Sequence, residues 1–308
     1  MRFSLRIFFF LLIMALLLPF GESGAFAQTD RLQIVTSTPL LADIVQNVAG
    51  DRADVSSIMP EYADPHTWEA SPQDMIRLTE ADTFISIGAH LEPFVESGGW
   101  RRAVKDSGVA QLTIADHVDL IVVDKVIDHG DHTHDLREGD PHIWLDPNKV
   151  IEAIPAISRH LAELDPGGTA SYDENAASYI TALEEMDMEL ASAFAQIPED
   201  QRVLVVFHDA YTYFAARYDF EVVGVVLRNP ENDISAQEVI DLQRAIAEYD
   251  VRVIFAEPQF NTDILDVIVE DDDVEVGTLL TDSFAGQVDS YIGLMQFNRD
   301  SLLKHLAP

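Results

Sequence analysis

The chain has no cysteine among its 308 residues, so disulfides cannot stabilise it and the usual point of lipid attachment is missing. Basic residues are also few, with 19 Lys plus Arg against 54 Asp plus Glu and a formal net charge of −35. This balance argues against nucleic acid as a partner, because its phosphates need a basic protein face. The acidic residues are spread along the chain, which favours a solvated acidic surface over a device that concentrates cations near one site.

The first 27 residues have the order of a secretory signal peptide. Arg2 and Arg6 precede an almost wholly apolar run, 8–20, and the small-residue stretch Ala25-Phe26-Ala27 follows it. The apolar run has about 13 residues, short of the ~20 that a spanning helix needs. We therefore expect export with cleavage after Ala27. Since cysteine is missing, we expect a free periplasmic protein that is not a lipoprotein.

Apolar runs with strand character occur in two series, and segments with helical spacing lie between them. The runs are 32–36, 55–59, 83–87, 111–114, 202–207, 221–226, 251–256 and 274–280. Strands that alternate with helices predict parallel sheets with helices on both faces. The two series therefore predict an α/β fold with two lobes, each a mainly parallel sheet flanked by helices.

Between the two series lies one continuous apolar stripe at helical spacing. Gly167 and Gly168 end the preceding helix, Ser171 and Glu174 form a capping-box pattern, and Pro198 stops the segment. The members of the stripe are Tyr172, Ala176, Tyr179, Leu183, Met186, Leu190, Phe194 and Ile197.

A helix of about 26 residues, or ~39 Å, is long enough to run the length of both lobes as a stiff connector. An ordinary helix packed in a single domain is the alternative. The predicted organisation is a signal peptide over 1–27, an N-terminal lobe over 28–166, the long rigid helix over 167–198 and a C-terminal lobe over 199–308.

Four polar residues have the character of metal ligands. His66 and His142 each lie in the sequence Asp-Pro-His-x-Trp, and His208 and Asp282 each follow an apolar run at the expected carboxyl end of a strand. Ligands gather outside the carboxyl ends of parallel strands, so a cleft between the lobes could take two ligands from each side. Three imidazoles and one carboxylate complete a tetrahedral zinc set, whereas Mn²⁺ prefers more oxygen ligands.

A lone histidine is more often a surface or hydrogen-bonded residue than a ligand. The repetition of Asp-Pro-His-x-Trp favours the metal site, because a proline before the histidine fixes the local backbone.

Seven short motifs together resemble those of the metal-binding solute receptors of ABC importers for zinc and manganese. They are DPHTWE at 64–69, SPQD at 71–74, GAHLE at 88–92, DPHIWLDP at 140–147, FHDAY at 207–211, EPQF at 257–260 and TD at 281–282. The resemblance spans nearly all of the mature protein. It implies two α/β lobes joined by one long helix, delivery of a metal ion to a permease and its ATPase, and metal ligation by His66, His142, His208 and Asp282.

The resemblance also indicates which metal to expect. Manganese receptors of this family usually have glutamate at the third ligand position, where this chain has His208. The sequence DHGDHTHD at 128–135 is similar to a histidine-rich insertion of the zinc branch, and we expect it to form an exposed loop with a weaker metal site. Its histidines are His129, His132 and His134. We therefore expect Zn²⁺, with Mn²⁺ or mixed specificity as the alternative.

Several other polar and aromatic residues of these motifs have expected supporting roles. Candidates for acceptors that orient the ligand imidazoles are Glu69, Asp209 and Glu257. Those expected to shield the cleft are Trp68, Trp144 and Tyr211. His90 is expected to pack or form hydrogen bonds rather than to bind metal.

An exported zinc hydrolase is the main rival from another class of protein. A catalytic site needs an open coordination position and a general base, but the chain has no H-E-x-x-H sequence and four ligands leave no place for substrate. We expect a monomeric receptor rather than an enzyme. A periplasmic zinc buffer or adhesin without a transporter would share these features, and neighbouring permease and ATPase genes would distinguish a receptor from either.

Overall fold

The protein is described by a computed structural model. It describes residues 31–122, 139–227, 234–269 and 274–308, together with the backbone of 126–128 and 133–135. The predicted signal peptide, 1–27, lies outside the described residues.

The described residues form ten strands and ten α-helices. The strands are β1 Leu32–Thr36, β2 Ala53–Ser57, β3 Thr83–Ser86, β4 Ala110–Thr113, β5 Val126–Asp128, β6 Thr133–Asp135, β7 Val203–His208, β8 Glu221–Leu227, β9 Val253–Ala256 and β10 Glu275–Thr278. The helices are α1 Pro39–Ala49, α2 Pro72–Thr79, α3 Pro93–Glu96, α4 Gly98–Ser107, α5 Pro147–Leu164, α6 Thr169–Phe194, α7 Thr212–Tyr218, α8 Ala236–Glu248, α9 Leu265–Ile268 and α10 Tyr291–Leu306.

The first lobe is built on a parallel sheet with the strand order β2-β1-β3-β4. Successive side chains of a strand point to opposite faces, and both faces of this sheet are apolar. Ile34 and Ile85 pack into one buried cluster, while Val35 and Phe84 pack into a second cluster around Trp100. Helices therefore cover both faces of the sheet, as the sequence predicted.

The second lobe repeats the plan with a parallel sheet in the order β10-β9-β7-β8. Val205 and Ile254 belong to the buried cluster on one face, and Val206 and Phe255 to the cluster on the other. All eight predicted strands are present, and most of their ends are shifted by one or two residues. The predicted α/β fold with two parallel sheets is confirmed.

Helix α6 lies between the two sheets in the sequence and has 26 residues. Every residue of the predicted apolar stripe, from Tyr172 to Ile197, is buried. The helix packs against α1 and α5 of the first lobe and against α10 of the second. Its last residue, Phe194, also meets the edges of Phe214 and Phe220 at ring-centroid distances of 5.4 and 5.5 Å. The long connecting helix is therefore confirmed.

The capping box predicted at Ser171 is wrong, because α6 begins at Thr169 and Ser171 is an exposed residue inside it. A 3-10 turn over Pro166–Gly168 leads directly into the helix. Asp165 holds that turn by accepting hydrogen bonds from Arg52 Nε at 2.7 Å and from the Tyr172 hydroxyl at 2.9 Å. Tertiary contacts thus fix the start of the helix without a side-chain cap.

The expected loop at 128–135 differs in part from the structure. Its two ends belong to β5 and β6, which pair as an antiparallel hairpin with Ile127 opposite His134. His129 and His132 lie outside the described residues. Within the described part of the chain, no helix combines the length and apolarity needed to cross a membrane.

Candidate metal site

The four predicted ligand residues lie together in the interior of the protein. The Nε2 atoms of His66 and His142 are 3.3 Å apart, and His208 Nε2 is 3.5 Å from Asp282 Oδ2. The ligand atoms of the three histidines all lie within 4.8 Å of one another. Each of the four residues is at most 4% exposed, so this cluster of donor atoms is shielded from water.

His208 and Asp282 occupy the carboxyl edge of the second sheet. His208 is the last residue of β7, and Asp282 lies four residues beyond the end of β10. Strand β9 lies between these two strands, and Glu257 follows it directly. Parallel strands therefore deliver three polar side chains to one edge of the sheet, as ligand sites of this architecture require.

His66 and His142 are presented by two similar turns. Asp64 Oδ1 accepts a hydrogen bond from the backbone N–H of His66 at 2.9 Å, and Asp140 Oδ1 accepts one from the N–H of His142 at 3.0 Å. An aspartate that bonds the backbone two residues further on forms a stable turn, and the intervening proline has no N–H to compete. This is the local reason for the repeated Asp-Pro-His sequence.

Asp140 has a second role that the sequence analysis missed. Its Oδ1 atom lies 2.8 Å from Nδ1 of His142. A hydrogen bond from Nδ1 leaves Nε2 free to face the cluster of donors. Burial by itself would raise the pKa of Asp140, but the charge of His142 and the hydrogen bonds from its ring and backbone together lower it. The signal was present in the sequence, since aspartate stands two residues before both histidines.

Glu257 orients His208 in the same way, as predicted. Its Oε1 atom accepts from Nδ1 of His208 at 2.8 Å, and its Oε2 atom accepts from Gln259 Nε2 at 2.9 Å. Burial disfavours the charged imidazole, but the carboxylates of Glu257 and Asp282 outweigh it and raise the pKa of His208 to about 9. The orienting roles expected of Glu69 and Asp209 stay predictions.

Two buried polar atoms of the cluster have no hydrogen-bond partner among the described residues, His208 Nε2 and Asp282 Oδ1. A buried polar group without a partner is costly, so such atoms call for an explanation. Burial, only partly offset by the charge on His208, raises the pKa of Asp282 to about 6. A cation bound between these atoms would satisfy both of them.

Aromatic side chains surround the cluster. The Trp144 ring meets the edge of His142 at a centroid distance of 5.4 Å, and its Nε1 donates to the backbone oxygen of Thr281 at 3.0 Å. Trp144 and Tyr211 are buried, as expected of residues that exclude water, whereas Trp68 is partly exposed.

His90 lies apart from the three clustered imidazoles. Its Nδ1 atom is 2.6 Å from Glu96 Oε1, which agrees with the expected hydrogen-bonding role.

Comparisons with known proteins agree with this architecture. The profile of the family described as "Zinc-uptake complex component A periplasmic", ZnuA, matches residues 34–305. The manganese-binding lipoprotein MntA of Halalkalibacterium halodurans is 29% identical over 293 residues, which cover 93% of this chain and 92% of that protein. The iron ABC transporter substrate-binding lipoprotein MtsA of Streptococcus pyogenes is 26% identical and covers 99% of both chains.

Solved structures share the fold. The periplasmic zinc-binding protein TroA from Treponema pallidum superimposes with a TM-score of 0.77 at 24% identity and covers 90% of this chain and 100% of its own. A zinc-bound deletion mutant of ZnuA superimposes with a TM-score of 0.75 at 26% identity and covers 91% and 99%.

These relatives correct our expectation about location. We expected a free protein that is not a lipoprotein, but MntA, MtsA and SsaB of Streptococcus sanguinis are all named lipoproteins. The expectation was wrong because it rested on the missing cysteine alone. The absence of one residue type from one chain does not determine how members of this group are held in place.

The resemblance inferred from the motifs is confirmed by the matched profile and by relatives named as substrate-binding components of metal ABC transporters. Such components work with a permease and an ATPase. Because the profile covers most of the sequence, the chain belongs to the ZnuA family of periplasmic metal-binding receptors for ABC importers.

Proposed function

We propose that this receptor binds one Zn²⁺ ion through His66, His142, His208 and Asp282 and delivers it to the importer. The observation that carries the proposal is the spacing of the donor atoms. Zinc–nitrogen bonds are about 2.0–2.1 Å long, so the donors of a tetrahedral site are about 3.3–3.4 Å apart. The two pairs of donor atoms that lie 3.3 and 3.5 Å apart match this geometry closely.

The electrostatics of the cluster also favour a cation. His208 Nε2 and Asp282 Oδ1 are buried and have no hydrogen-bond partner in the described part of the chain. Once His208 loses its Nε2 proton, each of these atoms has a lone pair that can bind a metal ion. Asp140 and Glu257 each hold one imidazole by its Nδ1 atom, which is the arrangement that raises the basicity of a metal-binding histidine. These contacts support a preorganised site that a divalent ion completes.

Manganese is the second candidate, and the carboxylates near the cluster favour it. Asp64 groups with His66 and Asp282, and Glu257 groups with His208 and Asp282, each within 4.8 Å. Extra oxygen donors suit Mn²⁺, and the relative MntA is named a manganese-binding protein. Zinc stays our first proposal, because Asp64 and Glu257 already accept hydrogen bonds from His66 and His208.

We further propose that the protein acts as a monomeric receptor and not as an enzyme. A set of four donors around one ion leaves no open coordination position for a reacting water, which a zinc hydrolase requires. We retain the lobe boundaries 28–166 and 199–308, with 167–198 as the connector, as part of this proposal.

The test is metal content after purification without added metal, followed by calorimetry of the chelator-stripped chain with Zn²⁺ and Mn²⁺ in competition. We expect one tight site that prefers zinc. The double variant His66→Ala, His142→Ala should lose it. The matched control His117→Ala, His305→Ala removes two histidines from outside the cluster and should keep it. Tight binding by the first double variant would contradict the ligand assignment.

A further inference from the structure

The segment that carries His142 is fixed to the second lobe, although it precedes α6 in the chain. Within 140–146, Trp144 Nε1 donates to the backbone oxygen of Thr281 at 3.0 Å. The hydroxyl of Tyr291 donates in turn to the backbone oxygen of Trp144 at 2.7 Å. All three of these residues are buried, so water does not compete for either hydrogen bond.

A third hydrogen bond strengthens this attachment. The hydroxyl of Tyr213, in α7, donates to the backbone oxygen of Asp140 at 2.8 Å. The buried turn that presents His142 is therefore bound to the same framework that carries His208 and Asp282. Three of the four proposed donors share one rigid support, rather than two from each lobe as the sequence suggested.

His66 reaches the cluster from a different segment, and Tyr62 connects that segment to the second lobe. The backbone N–H of Tyr62 donates to Ser283 Oγ at 2.7 Å, and its hydroxyl accepts from the backbone N–H of Gly286 at 3.2 Å. Ser283 directly follows the proposed ligand Asp282. Tyr62 thus joins the segments of two donors that lie in opposite lobes.

The conformation of Tyr62 indicates that these contacts hold it in place. Its φ angle is 64°, a left-handed value that residues other than glycine, asparagine and aspartate seldom adopt. The side chain is 48% exposed, so burial of the ring does not account for the conformation. A strained residue of this kind persists where its surroundings impose it. Here those surroundings include Ser283 and Gly286.

The contact is bordered by open space rather than by a packed core. A cavity of about 360 Å³ lies beside it, with α1 and β2 on one side and Phe284 and Asp289 on the other. Glu61, next to Tyr62, also lines this cavity. The two hydrogen bonds of Tyr62 therefore join the two segments at the border of this cavity.

We propose that Tyr62 is a positioning residue that latches His66 against the other three donors. When the latch loosens, His66 withdraws first and leaves the ion on His142, His208 and Asp282, a site with an open position from which the ion can be passed on. This inference rests on the proposed metal site. It assigns the control of metal release to a residue that does not touch the ion.

The experiment measures how fast the zinc-loaded chain loses its ion to an excess of chelator in a stopped-flow instrument. Tyr62→Phe removes the hydroxyl that accepts from Gly286 and should raise the dissociation rate about threefold to tenfold, the effect of one hydrogen bond. Tyr62→Gly removes the whole side chain and should raise it further. The control Tyr249→Phe alters a tyrosine that is 40% exposed and lies near Glu221, and it should have no effect.

A second readout separates a latch from a residue that only supports the fold. Glycine adopts the left-handed region freely, so Tyr62→Gly should leave the melting temperature of the metal-free chain unchanged or raise it. Unchanged dissociation rates in both variants, or a rate that rises only together with a loss of metal-free stability, would overturn the latch. If the wild-type chain bound neither Zn²⁺ nor Mn²⁺, the proposed function itself would fail, and this inference with it.

Discussion

Hydrogen bonds at Nδ1 decide how two of the site histidines can act. His142 and His208 each have a carboxylate oxygen 2.8 Å from this atom, so their Nε2 atoms face the cluster. The two pairs differ in their charge environment. His208 lies near two carboxylates, Glu257 and Asp282, and its pKa rises to about 9 despite burial. In the metal-free protein His208 therefore carries a proton at neutral pH, and a metal ion must displace it.

We predict that zinc binding at pH 8 releases about one proton from His208. Below about pH 9 the affinity should fall by about tenfold per pH unit, because proton and metal compete for one nitrogen. The stability of the metal-free chain changes with pH in the opposite direction. A raised histidine pKa gives stability that is present below the ordinary value of about 6.5 and is lost as the pH rises through about 9. The zinc-induced rise in melting temperature should therefore grow from pH 7 to pH 9.

Calorimetry in buffers of different ionisation enthalpy counts the released protons. The variant Glu257→Gln removes one of the charges that raise the pKa of His208, so it should release fewer protons at pH 8. Glu275→Gln is a matched control, because Glu275 accepts from His305 Nδ1 at 3.1 Å at the far end of β10. Proton release that is the same in both variants would contradict the role given to Glu257.

The sequence motifs predicted the four clustered residues, because each motif is a short run of neighbouring residues. An Asp-Pro-His turn is specified by neighbouring residues, so His66 and His142 could be recognised without a structure. The contacts of Tyr62 could not be predicted, because its partners Ser283 and Gly286 lie more than 220 positions away in the chain. Nothing in the local sequence indicates a cross-lobe hydrogen bond.

At the scale of elements, the buried strands and the long helix were predictable because each has an unbroken apolar pattern. The end of a helix depends on fewer residues and is easier to misassign. Ser71 and Ser171 both open a capping-box pattern, but only Ser71 is a cap in the structure. Its Oγ accepts from the N–H of Asp74 at 3.3 Å, and the Asp74 carboxylate accepts from the N–H of Ser71 at 2.9 Å. At α6 the contacts of Asp165 replace such a cap.

We predict that Ser71→Ala and Ser171→Ala have different effects on the free energy of unfolding. Loss of the cap of α2 should cost about 1 kcal/mol. Ser171 lies exposed inside α6, where alanine is the better helix former, so its replacement should have no cost or a slight benefit. Denaturant unfolding of the metal-free chain measures both. An equal loss of stability in the two variants would show that Ser171 caps the helix after all.

At the scale of the whole molecule, the dominant feature is a formal net charge of −35. Carboxylates spread over the surface repel one another more strongly in the folded state than in the expanded unfolded chain. Some basic residues form local pairs, such as Arg52 with Asp165 and Arg217 with Asp187, but 19 Lys plus Arg cannot balance 54 Asp plus Glu. This repulsion opposes folding, so the ionic strength should affect the stability of the fold.

We predict that added salt raises the melting temperature of the metal-free chain. The Debye length falls from about 30 Å at 0.01 M to about 10 Å at 0.1 M, so most of the repulsion should be screened in that interval. The melting temperature should level off at higher salt concentrations, because charges that lie close together are screened less than distant ones. Differential scanning calorimetry at pH 7.5 measures the change.

Sodium chloride and choline chloride should raise the melting temperature equally if screening is the cause. A rise with sodium alone would instead indicate specific cation binding, and a fall with both salts would show that attractive ion pairs outweigh the repulsion.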